Sequence, residues 1–135
     1  MKKLLLIFTL LFSTLMFSTP SYGEWTKVSS NDIGTTYYVD FERIKKHGGY
    51  VYFWQLADYL KPLIGLRNEV YLSSKYYIQV DCKLFRAKNL SASFHNEPMG
   101  KRSGYNPEIK GKHANWKYPP PNSVREAILK RVCSQ

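Results

Sequence analysis

The sequence predicts an α+β fold: an antiparallel β-sheet of about five to six strands with a C-terminal α-helix packed on it, stapled by one disulfide. Three observations predict it. Runs rich in Tyr, Val, Trp and Phe alternate in and out, as strands do. The last stretch has a capped, striped helical pattern. Only two cysteines occur, Cys82 and Cys133, in a chain that begins with an export signal.

The signal comes first in the chain. Lys2 and Lys3 precede an apolar run over residues 4–17, and Pro20 and the small-residue site Ser21-Tyr22-Gly23 follow. That order predicts a signal peptide over residues 1–23. The run is short for a membrane helix, which needs about 20 apolar residues. No Cys follows it to carry a lipid. The expected mature protein is one domain over residues 24–135, soluble, exported and not lipidated, with no transmembrane segment. In the periplasm or outside the cell the two thiols read as a bridge, rather than as a reactive pair or a metal site, because no C-x-x-C accompanies them.

Along the mature chain, residues 24–29 predict a first strand, 30–34 a turn, and 35–41 a second strand. Residues 42–47 predict a single helical turn or a loop, ended by Gly48-Gly49. Residues 50–60 are apolar on both faces, which predicts a central strand that Lys61-Pro62 stops. Residues 63–67 predict a loop. Residues 70–80 alternate with one apolar face that continues to Cys82. Residues 89–95 predict another strand, with Leu90, Ala92 and Phe94 inward. Residues 97–115 predict a long basic loop, and 113–118 a short strand around Trp116. Pro119-Pro120-Pro121 is an extended lead. Ser123 and Glu126 have capping-box spacing, and the helix is expected over about residues 124–133, with Val124, Ala127, Ile128 and Val132 as its apolar stripe.

Charge and chemistry narrow the function. Lys and Arg number 20 against 10 Asp and Glu, and Lys2 and Lys3 lie in the signal, so the mature part is near +8. Export removes nucleic acid as a partner. Lipopolysaccharide, anionic glycans and acidic proteins remain, beside plain solubility. His47, His95 and His113 are far apart and lack metal spacing. No nucleophile elbow and no phosphate-cradling glycine loop occurs. Asp40 and Glu42, two apart, read as surface charge beside Arg43, Lys45 and Lys46. The expectation is a protein that is not an enzyme and needs no cofactor or metal.

Several residues together carry a resemblance. They are Trp25, Tyr37-Tyr38-Val39-Asp40, Trp54, Val80-Asp81-Cys82, Arg86, Met99-Gly100, Trp116, Pro121, Ser123 and Val132-Cys133. In this order the chain resembles the surface-adhesin protein E-like domain family of Gram-negative bacteria, over nearly all of its mature length. The resemblance implies an antiparallel sheet with a helix packed on it. It also implies an adhesin contacting host extracellular-matrix proteins of the vitronectin or laminin kind, although the best-known member is lipidated and this chain lacks the Cys for it. The expected binding residues lie on the basic loop: Lys101, Arg102, Tyr105, Lys110, Lys112, His113 and Trp116. The rival expectation is a periplasmic inhibitor or accessory protein of an envelope enzyme.

Overall fold

The computed structural model describes residues 24–102 and 104–135, so the expected signal peptide over residues 1–23 lies outside them. Strands β1 (Thr26–Ser30), β2 (Thr36–Val39), β3 (Lys45–His47), β4 (Tyr50–Ile64), β5 (Val70–Asp81) and β6 (Arg86–His95) form one antiparallel sheet. Helix α1 (Val124–Cys133) follows. The strand order is β1-β2-β4-β5-β6, and β3 also pairs with β4. Thus β2 and β3 share one edge of β4, against residues 55–58 and 50–52 respectively. No helix among the described residues is long and apolar enough to cross a membrane.

Local chemistry explains most turns. Asn31 Oδ1 accepts the amides of Ile33 and Thr35 at 3.2 and 2.9 Å, closing the β1–β2 turn. Gly48 and Gly49 both take positive φ, 60° and 82°, and join β3 to β4 between the paired His47 and Tyr50. Two successive positive φ values are what a tight hairpin turn of matching twist demands.

Four segments depart from the sequence expectation. Residues 42–47 do not stay a loop: after a 3-10 turn (Phe41–Arg43), Lys45–His47 forms β3, a basic edge strand recruited by the Gly-Gly hairpin. Strand β4 does not stop at Lys61-Pro62 but runs to Ile64, within the segment expected as a loop. Beyond Asp58 it has no β2 partner, and its register with β5 shifts between Asp58 and Leu63, so a proline without an N–H fits there. Leu90 does not point inward. A bulge places Ile78 opposite Asn89 but Tyr77 opposite Ser91, and Leu90 is exposed. Residues 113–118 form no strand, only a single bridge between Lys117 and Ala87.

The main core lies on one face, while Leu56 is buried on the other under the turn at Met99 and Gly100. Val51 and Phe53 of β4, Ile78 and Val80 of β5, Val39 of β2 and Ala87 of β6 meet Ile128, Leu129 and Val132 of α1. Leu129, outside the expected stripe, is fully buried. Each large side chain so buried contributes roughly 1.5–3 kcal/mol. Cys82, just past β5, bonds to Cys133 at the helix end, with a Cα–Cα distance of 5.7 Å. Lys46 Nζ donates to the Gln135 carbonyl at 2.6 Å, and the Arg131 guanidinium lies 4.7 Å from the Phe41 ring centroid. The helix C-terminus is therefore held by a covalent bond and by cations that suit its dipole.

At the other helix end, Ser123 Oγ accepts the Glu126 amide at 3.1 Å, as its spacing predicts. The reciprocal arm differs: Glu126 Oε1 accepts from the amide of Asn122 at 3.3 Å rather than from Ser123, whose own amide donates to the Pro120 carbonyl. Asp40 is not surface charge. It is fully buried, with Arg43 Nε 2.6 Å from its Oδ2, while Glu42 is exposed.

Three outcomes follow from this frame. The bridge closes a loop of sequence separation 51, so replacing Cys82 and Cys133 by Ala should cost up to about 4 kcal/mol, read from urea unfolding, and native protein should expose no alkylatable thiol. Ser123→Ala should cost about 0.5–2 kcal/mol at unchanged denaturant slope. His95 is buried between the Ser93 hydroxyl and the Arg102 carbonyl, and burial lowers its pKa below the ordinary 6.5. The unfolded chain then binds the extra proton. The stabilisation from a neutral His95 is complete above the ordinary value and declines as pH falls below it. The urea midpoint should fall between pH 7 and 5 more steeply in wild type than in His95→Gln.

Candidate functional site

Strand alternation sends Val51 and Phe53 to the helix side and Tyr50, Tyr52 and Trp54 to the opposite side. Their cross-strand partners follow the same rule. Tyr52 is opposite Gln79, Trp54 opposite Tyr77, and Gln79 opposite Lys88. The face turned away from the helix therefore carries Tyr50, Tyr52, Trp54, Tyr77, Arg86 and Lys88, all half-buried rather than enclosed.

Two clusters occupy this face. In the first, the Trp54 and Tyr77 rings lie 4.8 Å apart, Tyr52 is 6.2 Å from Tyr77, and the Arg43 guanidinium stands 6.0 Å from the Trp54 centroid. Gln79 Nε2 donates to the Tyr52 hydroxyl at 3.1 Å. In the second, the Trp116 ring packs 5.6 Å from Tyr50, with the Arg86 guanidinium at 4.7 Å and the Lys88 ammonium at 4.8 Å. The Lys117–Ala87 bridge, with backbone bonds of 2.8 and 3.0 Å, brings Trp116 alongside Lys88. Asp81 fixes Arg86 at 3.2 Å. The Leu84 amide, and then Arg86, hold the Asp81 carboxyl below the usual carboxylate range.

A ring with two cations against it is suited to anionic ligands. The aromatic face takes a flat apolar surface, such as the C–H face of a sugar, while the cations take its charge. The side chains are prepared for this by their neighbours rather than by a pocket.

The expected basic loop is divided between the two ends of β6. Its first part turns back over the far end of the sheet: Met99 N donates to Asp58 Oδ1, Gly100 N to Ser73 Oγ, and the Arg102 carbonyl lies 2.7 Å from His95 Nδ1. Tyr105 pairs with Phe94 through both backbone groups, and a Cβ at Gly104 would overlap the Phe94 carbonyl. Arg102 is paired with Glu97 at 3.1 Å and Lys110 with Glu108 at 3.5 Å, while Lys101 is exposed. Lys112 and His113 lie in a 3-10 turn (Gly111–Ala114) at the near end, beside Trp116. Phe94 and Ala87 are seven residues apart, so the loop's anchors are about 20 Å apart. Tyr105 and Trp116 thus belong to different places. Of the expected residues, only Lys112, His113 and Trp116 gather at one end. Sequence reading did not foresee Arg86, Lys88 and Tyr50 as partners of Trp116, because that contact depends on the register of β6 with a segment outside any strand. Among the described residues, no three His, Cys, Asp or Glu side chains are grouped to hold a metal.

Comparisons with known proteins place the fold. Crystal structures of protein E from Haemophilus influenzae superpose on the chain. For the protein of a non-typeable strain, the TM-score is 0.60 at 17% identity, covering 87% of this chain and 79% of that one. A second crystal form gives a TM-score of 0.65 at 17% identity, covering 86% and 91%. A sequence search against curated proteins gives no match. The sequence profile of the surface-adhesin protein E family matches residues 25–134. It spans nearly the whole described chain, including the sheet, both cysteines and the terminal helix, and the protein therefore belongs to the surface-adhesin protein E family.

Proposed function

We propose that this protein is an exported, non-enzymatic adhesin that holds an anionic glycan, free or carried on a host matrix protein, across the cation–aromatic face of its sheet. One observation carries the reading: Trp116 lies against Tyr50, Arg86 and Lys88, on the face that the helix leaves uncovered. Membership of a surface-adhesin family makes an adhesin-like surface protein the frame for it. The finer points belong to the same proposal. The mature chain begins at Glu24, is not lipidated, and reaches the cell surface. Lipopolysaccharide is a second anionic partner with the same chemistry. Lys112 and His113 add charge beside Trp116, while Lys101, Arg102, Tyr105 and Lys110 contribute little.

The rival reading, a periplasmic inhibitor or accessory protein of an envelope enzyme, has its own support. The β4–β5 hairpin carries Leu63, Ile64, Leu66 and Val70 exposed near its tip. An apolar projection of that kind suits a protein cleft. Protease digestion of intact cells separates the two readings: an adhesin is cleaved from outside, a periplasmic inhibitor is protected.

Heparin serves as the test ligand. Wild type should bind it at low salt and release it steeply as salt rises. Trp116→Ala and Lys88→Gln should each weaken binding roughly 5- to 10-fold, about 1 kcal/mol or somewhat more, with an unchanged melting temperature. The combined Lys101, Arg102 and Lys110 to Gln variant should lose less. Wild-type protein that fails to bind heparin at low salt, or Trp116→Ala that binds as wild type, would refute the proposal. Vitronectin and laminin, tested in the same format, decide whether a matrix protein carries the glycan.

A further inference from the structure

Arg125 is a half-buried cation without a counter-charge. It sits in the first turn of α1, and its guanidinium makes one hydrogen bond, from Nη2 to Asn89 Oδ1 at 3.4 Å. Among the described residues no carboxylate lies within 4.0 Å of it. Burial pulls its pKa down, and Tyr76 and Tyr37 only partly oppose this. The neighbouring acid is engaged elsewhere, because Glu126 Oε1 accepts from the Asn122 amide and from Lys130 Nζ, both at 3.3 Å. Withdrawing a guanidinium from water is costly unless its donors and its charge are matched. The remaining donors of Arg125 have no protein partner and are not sealed from the cavity and solvent, so they are free to take a ligand.

The surroundings supply what an anion would need. Arg125 lines a cavity of about 260 Å³ between β6, the Lys117 bridge and the proline lead into α1. Lys88, Lys117, His113, Asn89 and Asn115 line it too, and no Asp or Glu does. The cavity is therefore rich in donors and positive charge. It is smaller than a typical drug-sized site of about 300–1,000 Å³ but larger than one oxyanion needs.

We propose that this cavity is an oxyanion site, in which Arg125 makes a forked contact to a sulfate or phosphate group, either as the free ion or as the ester on a single sugar. Lys117 and His113 at its rim complete the charge, and Asn115 supplies an amide donor. Guanidinium pairs with such oxyanions through two parallel N–H bonds, and this gives the site its selectivity over chloride. The site adjoins the sheet face and shares Lys88 and His113 with it, but its central group differs: Trp116 packs against Arg86 and Lys88 on that face, whereas Arg125 lies on the helix side of β6 beside Asn89.

The test is a titration of the mature protein with sodium sulfate, and separately with sodium phosphate, against sodium chloride at matched ionic strength. The readout is the NMR signals of the Arg125 Nε–H and of the Asn89 and Lys117 amides. Saturable shifts confined to these groups are expected with an oxyanion and not with chloride. Arg125→Met should weaken binding at least about tenfold, and Lys117→Gln should weaken it less. Arg125→Met should also melt at or above wild type without oxyanion, because it removes a half-buried cation that has no counter-charge; a merely structural arginine would give a lower melting temperature. Glucosamine 6-sulfate identifies the source: tighter binding than inorganic sulfate points to a sugar ester, equal binding to the free ion. Shifts that do not saturate, that chloride reproduces, or that persist in Arg125→Met would overturn the site. Heparin retention is a separate reading, so Trp116→Ala that loses heparin but keeps the sulfate shifts leaves this site standing.

Discussion

One short helix closes the main hydrophobic core of the described residues, and the rest of the structure follows from how little it can cover. Helix α1 has ten residues, about 15 Å of length, while the 15 residues of β4 extend about 50 Å. The Cys82–Cys133 bond ties the helix end to the end of β5, so coverage begins where Val51, Phe53, Ile78 and Val80 lie and fades along the strands. A loop-closure contribution of about 4 kcal/mol is large beside the 5–15 kcal/mol net stability of a small domain. The bond does not create the helix, which its cap and its Ile128, Leu129 and Val132 side chains specify. It decides where the helix lies.

Two surfaces result. The face opposite the helix is shielded only at its far end, where Met99 and Gly100 lie over Leu56; elsewhere it is built from Tyr and Trp, whose rings pack while their polar edges meet water. Arg43, Arg86 and Lys88 lie over those rings and reduce the apolar area further. Beyond the reach of the helix, the β4–β5 hairpin keeps Leu63, Ile64 and Leu66 exposed. Its edge there is blunted by Lys61 and Pro62, a charge and a missing N–H that oppose pairing with another strand.

Much of this is legible in the sequence because it is local. The alternation in β4 and β5, the Ser123 cap and the isolated Cys pair each depend on residues close together or on simple elimination, and each matches the structure. The unread parts depend on partners distant in the chain. Lys45–His47 has no strand composition, and it pairs because the Gly48-Gly49 hairpin lays it on β4. Leu90 faces outward because of a bulge that composition does not announce. Asp40 is buried because the chain turns sharply after β2, which also lets Arg43 reach its Oδ2. The loop beyond β6 reads as one basic segment, yet two backbone pairings, at Phe94 and at Ala87, split it into two sites.

The distribution of charge carries the same logic one step further. The protein is strongly basic, but its cations are not equivalent. Arg102 and Lys110 are exposed and already paired with Glu97 and Glu108, and such pairs contribute little and answer weakly to a ligand. Arg86 is held by Asp81 and presented to Trp116, so its position is set before any ligand arrives. Asp40 shows the opposite imbalance: its Oδ1 is buried without a hydrogen-bond partner, although Arg43 matches Oδ2. A cation on a rigid strand, already oriented by a carboxylate, loses less entropy on binding than one on a free side chain. Recognition by this fold should therefore concentrate on the few cations that the sheet orders, and net charge by itself should only steer the approach.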